Sequence, residues 1–283
     1  MRKRSVAIGA VLVLTLALGW PAVPAPATST KIVVIVMENM PYSKIVGSSS
    51  APFINNTMIA DGVLATNYVG FSGSVHDYLA MTSGITSETL APSSENIFHQ
   101  LQSAGTSWVE YEQSMPSRCS LTASAGLIPG TNVPLYSKKH NPAVYYNDIT
   151  QNAKLCKAHV QPMPSSFAGL TLRSFTYLVP NQCWDMHTSC SAISGTANEI
   201  RTGDDWLAAH VPDLVADGAT VVLTWDEGNK TSENIVTVKY GAGESSGSDA
   251  TSYNHYSLLA GLEDAFGRAR VNGAQGATAL PIP

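Results

Sequence analysis

Charged residues are scarce in this chain, 13% of 283 positions against 44% hydrophobic. That balance excludes a disordered, self-repelling polymer and supplies apolar material for a large core. Basic charge is scarcer still. Sixteen Lys and Arg stand against 21 Asp and Glu, a formal charge of −5, and after Arg2, Lys3 and Arg4 the only adjacent basic pair is Lys138-Lys139. Without a basic footprint, nucleic acid is not an expected partner. Long hydrophobic runs are absent beyond the first thirty residues. There, Val6 to Trp20 follows the basic residues and precedes a small-residue stretch, Ala22 to Ala27. This predicts an export signal over residues 1–29 and a single domain over 30–283. The run is too short to span a bilayer comfortably, so stable membrane insertion is not expected and the product is secreted or extracytoplasmic. Close cysteine pairs are also missing. Cys119, Cys156, Cys183 and Cys190 lack the Cys-x2–4-Cys spacing of a zinc site, whereas an oxidising compartment favours two disulfides. Several connectivities are open; pairing Cys119 with Cys156 and Cys183 with Cys190 closes the shortest loops.

What is present is a set of short apolar runs with polar ends. Lys31 to Met37 (KIVVIVM) and Ala219 to Trp225 (ATVVLTW) are continuous Val/Ile-rich runs, the pattern of strands buried on both faces of a parallel sheet. One stops at Glu38-Asn39, the other at Asp226-Glu227-Gly228. Weaker strands are expected over Ser107 to Tyr111, Ser174 to Val179 and Ile235 to Tyr240. Helices are expected over Pro52 to Ala60, Asn96 to Ala104 and Asp204 to Val215, the last started by Gly203-Asp204. Strand–helix alternation predicts an α/β sheet covered by helices, with no linker that demands a second domain.

In open α/β sheets ligands gather beyond the carboxyl ends of strands, so Glu38, Asn39, Asp226 and Glu227 are expected to converge. Three carboxylates in one place repel unless a hard divalent cation accepts their oxygens. The expected cofactor is one such ion, with Mg, Mn, Ca and Zn all open and oxygen ligands leaning toward the harder ions. Each acidic pair taken singly also reads as a solvated turn. Tyr68 to Ala80 reads as a glycine-bearing turn entering a helix, whose first amides favour a phosphate. Ser74 sits at that entrance, as a nucleophile or as an ordinary helix cap. Gly243 to Gly247 formally matches G-x-S-x-G, but no helix follows it, so a serine acyl hydrolase is not supported.

Val34 to Gly84 (VIVMEN…GSVHDYLAMTSG) resembles the secreted bacterial acid phosphatase and phospholipase C phosphoesterase family of the alkaline phosphatase superfamily. YEQSMPSRC, KKHNPAVYYNDI, VPNQCWDMH, GDDWLAAH, LTWDEG and NHYSLLAGLEDAFG look like its successive blocks, in order, over nearly the whole chain. The resemblance implies an alkaline-phosphatase-like three-layer α/β/α sandwich with a mostly parallel central sheet. It implies a metal-dependent phosphomonoesterase with Ser74 as nucleophile and a phosphoserine intermediate. Glu38, Asn39, Asp226 and Glu227 would coordinate the metal. His140 and His187 would hold phosphate oxygens or protonate the leaving group, and Asn181, Asp185 and His255 would line the same cleft. Asp204 is expected as a helix cap or support. The substrate class is a small-molecule or lipid phosphate monoester, and oligomeric state is left open. A phosphodiesterase of phospholipase C type and a degenerate phosphate- or metal-binding protein are the alternatives. Ser72 to Tyr78 departs from the family's His-Pro-Ser-x-Pro-Asn-Tyr, losing the leading histidine and both prolines while keeping the serine. Gln113 stands where relatives often carry an acid, and Thr188-Ser189 replaces the usual Asp-Gly.

Overall fold

A computed structural model describes residues 31–87, 95–190, 194–229 and 233–283. The expected export signal over 1–29 lies outside the described residues. The principal sheet has eight strands: β1 (Lys31–Met37), β2 (Val63–Ala65), β3 (Trp108–Glu112), β4 (Val160–Pro162), β5 (Phe175–Val179), β6 (Ala219–Trp225), β7 (Thr237–Gly241) and β8 (Gly247–Asp249). Their spatial order is β8-β2-β7-β6-β1-β5-β3-β4, and only β7 runs antiparallel to its neighbours. The two continuous apolar runs are adjacent central strands, β1 and β6. Each is covered on both faces, which is why neither shows polar alternation.

Helices cover both sides, as the alternation along β3 shows. Trp108 points to the side where α1 (Ser74–Ser83), α2 (Ile97–Ser103) and α5 (His255–Ala265) pack together, its ring meeting Phe98 at 4.9 Å. Tyr111 points to the other side, against Phe167, which meets His210 of α4 (Thr196–Ala216). Asn96 caps α2 by accepting the His99 N–H at 2.9 Å. The disulfides pair Cys119 with Cys156, in α3 (Ala153–His159), and Cys183 with Cys190. Among the described residues no helix is long and apolar enough to cross a membrane.

Boundaries differ from expectation where tertiary contacts override local pattern. The strand expected at Ser107 begins at Trp108, and the one expected at Ile235 begins at Thr237, Ile235 making only an isolated bridge to Pro41. The short edge strands β2, β4 and β8 carry too few residues for a readable period. α4 starts at Thr196, so Gly203 and Asp204 lie inside it and do not begin it. Gly203 is there because a side chain would collide with Met186 and the Trp184 carbonyl. Asp204 does cap a helix, though not its own. Its carboxylate accepts the Phe53 N–H at 3.0 Å and the Ile54 N–H at 2.8 Å, satisfying the first amides of the helical turn over residues 52–61.

Asp204→Ala therefore leaves two amides unsatisfied and is expected to lower the urea unfolding free energy by about 1–2 kcal/mol. Asp204→Asn, which keeps one acceptor oxygen, is expected to lose less. Equal stability of wild type and Asp204→Ala would exclude the capping role.

Candidate active site

The register of the central strands assembles the site. Met37 pairs with Trp225, so the next residues, Glu38 and Asp226, stand side by side where β1 and β6 end. Asn39 takes a left-handed conformation, φ 43°, turning its N–H onto Asp226 Oδ1 at 2.9 Å. The Glu227 N–H donates to the same oxygen at 2.6 Å. Asn39 Nδ2 reaches Glu227 Oε1 at 3.4 Å. On the other flank, the Glu38 N–H donates to the Asp185 carbonyl at 2.8 Å, bringing in the turn that follows β5.

Glu38, Asp185 and Asp226 are fully buried. Burial first, then the neighbouring carboxylates, holds Glu38 well above the ordinary carboxylate range. Burial likewise raises Asp185, against the pull of the His187 N–H and Lys139, and pushes Asp226 up to about 7. Asn39 Oδ1, Asp185 Oδ2 and Asp226 Oδ2 are buried with no hydrogen-bond partner. Among the described residues no three His, Cys, Asp or Glu side chains are already gathered about one point as metal ligands. The case for a cation rests instead on these unsatisfied oxygens, hard donors of the kind that suit Mg, Mn or Ca.

Ser74 opens α1 directly against this cluster. Its Oγ lies 3.4 Å from Glu38 Oε2 and does not cap the helix; Gly73 holds the cap position. Two glycines make the approach possible. Gly73 has φ 91°, which side-chain-bearing residues rarely adopt, and its N–H donates to Glu227 Oε2 at 2.9 Å. At Gly70 a Cβ would sit 2.6 Å from the Asp226 carbonyl oxygen. Tyr78, one turn into α1, donates its hydroxyl to Glu38 Oε1 at 2.9 Å. His140 places Nε2 3.2 Å from the same oxygen, and its ring stacks on Tyr78. Burial, with Lys139 and His187 adding, holds His140 well below the usual imidazole range, so it is neutral beside Glu38.

Seven of the residues expected from sequence thus form one network: Glu38, Asn39, Ser74, His140, Asp185, Asp226 and Glu227. Asp185 stands in the carboxylate cluster itself, beyond the cleft-lining place expected for it. His187 is exposed at the rim, its Nδ1 2.7 Å from Thr188 Oγ1, and near enough for its charge to reach His140. Partial desolvation and Lys139 hold it below the usual range. Asn181 and His255 sit behind the site. The Asn181 backbone N–H donates to Gln113 Oε1, and its side chain bonds to Ser114 Oγ and to the Cys183 N–H. His255 is fully buried, with Nδ1 at the Tyr68 hydroxyl and Nε2 between Asp77 Oδ1 and the Asp226 carbonyl. It braces the end of β6 and the first turn of α1. Asp77, at the position of the family's asparagine, also accepts the Phe71 N–H at 2.7 Å.

Sequence reasoning missed Lys139 and Tyr78. Lys139 is close enough to pull Glu38 and Asp185 down and to disfavour charge on both histidines. Its only signal was membership of the lone basic pair in an acidic chain.

Residues 80–248 match the Phosphoesterase family. The chain is 30% identical over 284 residues to a phosphatidylinositol-3-phosphatase of Mycobacterium tuberculosis, covering 93% of this chain and 88% of that one. It is 25% identical over 255 residues to a probable acid phosphatase of Kluyveromyces lactis, covering 84% of this chain and 58% of the yeast protein. An alkaline phosphatase superfamily protein from Vibrio parahaemolyticus superposes with TM-score 0.59 at 11% identity, over 90% of this chain and 71% of its own. The lipoteichoic acid synthase LtaP of Listeria monocytogenes does so with TM-score 0.54 at 9% identity, over 89% and 74%. These two likenesses establish the fold. The chain belongs to the Phosphoesterase family, as a phosphatase with an α/β fold like that of the alkaline phosphatase superfamily.

Proposed function

We propose that the protein is an exported, metal-dependent phosphomonoesterase that works through a phosphoserine on Ser74. The observation that carries this reading is the Ser74 hydroxyl at 3.4 Å from Glu38, beside the unpartnered oxygens of Asn39, Asp185 and Asp226. Glu38, Asn39, Asp226 and Glu227 are the residues that would hold one divalent cation, with Asp185 beside them. Bound there, it would lower the pKa of the Ser74 hydroxyl and offset phosphate charge.

The chain's own groups account for the remaining chemistry. The Ser74 Oγ–H is directed at Glu38 Oε2, the nearest acceptor for its proton. Ser74 Oγ attacks phosphorus in line as the ester P–O bond breaks, and the leaving alkoxide takes a proton from His187 at the rim, which carries that proton at acid pH because its titration is held below the usual imidazole range. The first amides of α1 and the Lys139 ammonium face the phosphate oxygens as charge is redistributed. Water then gives a proton to His187 and attacks phosphorus as the Ser74 Oγ–P bond breaks; Ser74 takes back the proton held by Glu38, and phosphate is released. His140, neutral and stacked on Tyr78, stands against the Glu38 carboxyl.

The substrate class is a phosphate monoester, small or lipid-borne; the name of the M. tuberculosis relative supports including the lipid. Export is supported by the basic-apolar leader and by two disulfides, which persist in oxidising compartments.

Hydrolysis of p-nitrophenyl phosphate and of bis-p-nitrophenyl phosphate by the purified protein, with and without chelator, tests the reading. Monoester turnover is expected, abolished by chelation and restored by a divalent ion. Ser74→Ala and Asp226→Ala are each expected to lower kcat by about 10³-fold or more. Preference for the diester would replace the monoesterase reading, and metal binding without turnover would leave a binding protein. Lys139→Met is expected to lower kcat/KM by about 10²-fold, with a rise in KM because a phosphate counter-charge is removed before and during reaction. Unchanged kinetics in that variant would remove Lys139 from the site.

A further inference from the structure

β3 departs from the apolar rule on its inner face. Trp108, Glu110 and Glu112 alternate toward α1 and α2, so two carboxyls occupy positions where a sheet face ordinarily carries hydrophobic side chains. They are 0% and 2% exposed. Their side chains hydrogen-bond each other, and Glu110 Oε1 and Glu112 Oε1 have no other partner. The titratable groups that sense the pair from the surrounding elements are phenols: Tyr78 from α1, Tyr136 and Tyr146 from the connecting segments, and Tyr177 from β5. Among the described residues no cation contributes to holding either carboxyl ionised. Such a pair cannot carry two charges at once, so it retains a proton.

One further bond leaves the pair, and it leads to the active site. Glu110 Oε2 accepts the Ala143 N–H at 3.2 Å. Ala143 lies in the 3₁₀ turn Pro142–Tyr145, immediately after the turn Lys138–His140 that carries Lys139 and His140. Asn141, between the two turns, donates to the Tyr136 hydroxyl at 3.1 Å. The segment thus hangs from β3 at Ala143 and from Tyr136 at Asn141, and its leading turn, tied by the Lys138 N–H to the Ala123 carbonyl, delivers the imidazole to Glu38.

We propose that Glu110 and Glu112, a buried pair of protonated carboxyls, are positioning residues that strut the Lys138–Tyr145 segment on β3 and so set His140 against Glu38 and Lys139 toward the reacting phosphate. The kinetic part of this inference rests on the phosphatase reading above. Burial holds Glu110 up to about 8 and Glu112 well above the ordinary carboxylate range. The strut is therefore neutral at acid and neutral pH. As pH rises past about 8 the Glu110 proton leaves, and an uncompensated charge appears among phenols. The segment then shifts to admit water. The stability sign agrees: a carboxyl raised in the folded state binds more protons folded than unfolded, so its stabilisation, whole below the unfolded carboxylate pKa, is lost as pH rises toward about 8.

The test measures p-nitrophenyl phosphate kinetics from about pH 5 to about pH 10 for wild type, Glu110→Gln, Glu110→Ala and Glu112→Gln. The Ala143 amide resonance is followed in ¹⁵N-alanine-labelled protein in parallel. A carboxamide keeps an acceptor for Ala143 and a donor for Glu112 but has no proton to lose. Glu110→Gln is expected to hold kcat within about twofold at pH 6 and to carry activity about one pH unit or more further into alkali. Glu110→Ala is expected to lower kcat by about tenfold with little change in KM, and to shift the Ala143 resonance. In wild type that resonance is expected to titrate with the same midpoint as the alkaline fall in kcat. An alkaline limb identical in wild type, Glu110→Gln and Glu112→Gln would overturn the proposal. So would an Ala143 resonance that ignores both pH and Glu110→Ala. If wild type turns nothing over, the phosphatase reading fails on its own, while the Ala143 titration still decides whether the strut exists.

Discussion

Three buried carboxyls, Glu38, Asp185 and Asp226, meet at the carboxyl ends of β5, β1 and β6, and the rest of the site answers their crowding. Each is fully buried and raised by burial; Asp226 also raises Glu38 and Asp185, and Glu227 and Asp77 raise Asp226. Like charges desolvated at this range are among the costliest arrangements a protein can hold. Donors accordingly converge on them: the N–H groups of Asn39, Glu227 and His187, the Tyr78 hydroxyl and the Ser74 hydroxyl. Asp185 Oδ2, Asp226 Oδ2 and the neighbouring Asn39 Oδ1 still lack a partner. That residual demand is what a cation and a phosphate-bearing substrate would meet.

The architecture holds this arrangement against its own repulsion from several directions. Parallel register between β1, β5 and β6 places the acids at one end of the sheet, anchored by strands whose apolar side chains are buried on both faces. On the β6 side, His255 joins the Asp226 carbonyl to Asp77, so α5, α1 and the strand end are held as one body. On the β5 side, Asn181 and the Cys183–Cys190 disulfide shape the turn that presents Asp185 and His187. The segment bearing His140 approaches from β3, where the Glu110–Glu112 pair meets it. Positioning is thus distributed over five elements, and the reacting hydroxyl needs only to stand at the start of α1.

Much of the fold was legible because its central strands are buried on both faces. KIVVIVM and ATVVLTW could be read as neighbours in a parallel sheet, and the polar residues at their ends as one site. Ser74 was legible from the glycine-bearing turn before it. The strands with least sequence signal, β2, β4 and β8, are short edge strands whose length hides any period. The start of α4 was misplaced because Gly203-Asp204 has the composition of a helix entrance. Its glycine answers Met186 and its aspartate the amides of another helix, contacts remote in sequence.

Local pattern also misplaces groups whose roles come from what packs on them. Acids on a strand read as solvent-facing, so Glu110 and Glu112 carried no sign of burial. Asn181 and His255 lay in the right blocks, yet packing turns their side chains toward support and away from the cleft. The amino-acid sequence by itself determined the buried central strands, the acidic residues that end them, the serine at a helix entrance and cysteines spaced for two short loops. These depend on composition and near-neighbour order. Tertiary structure alone decided which buried carboxyls stay protonated, that Lys139 comes within electrostatic reach of Glu38 and Asp185, and which histidine stands neutral against Glu38. Those properties depend on distance and desolvation between residues far apart in the chain, and a linear pattern carries neither.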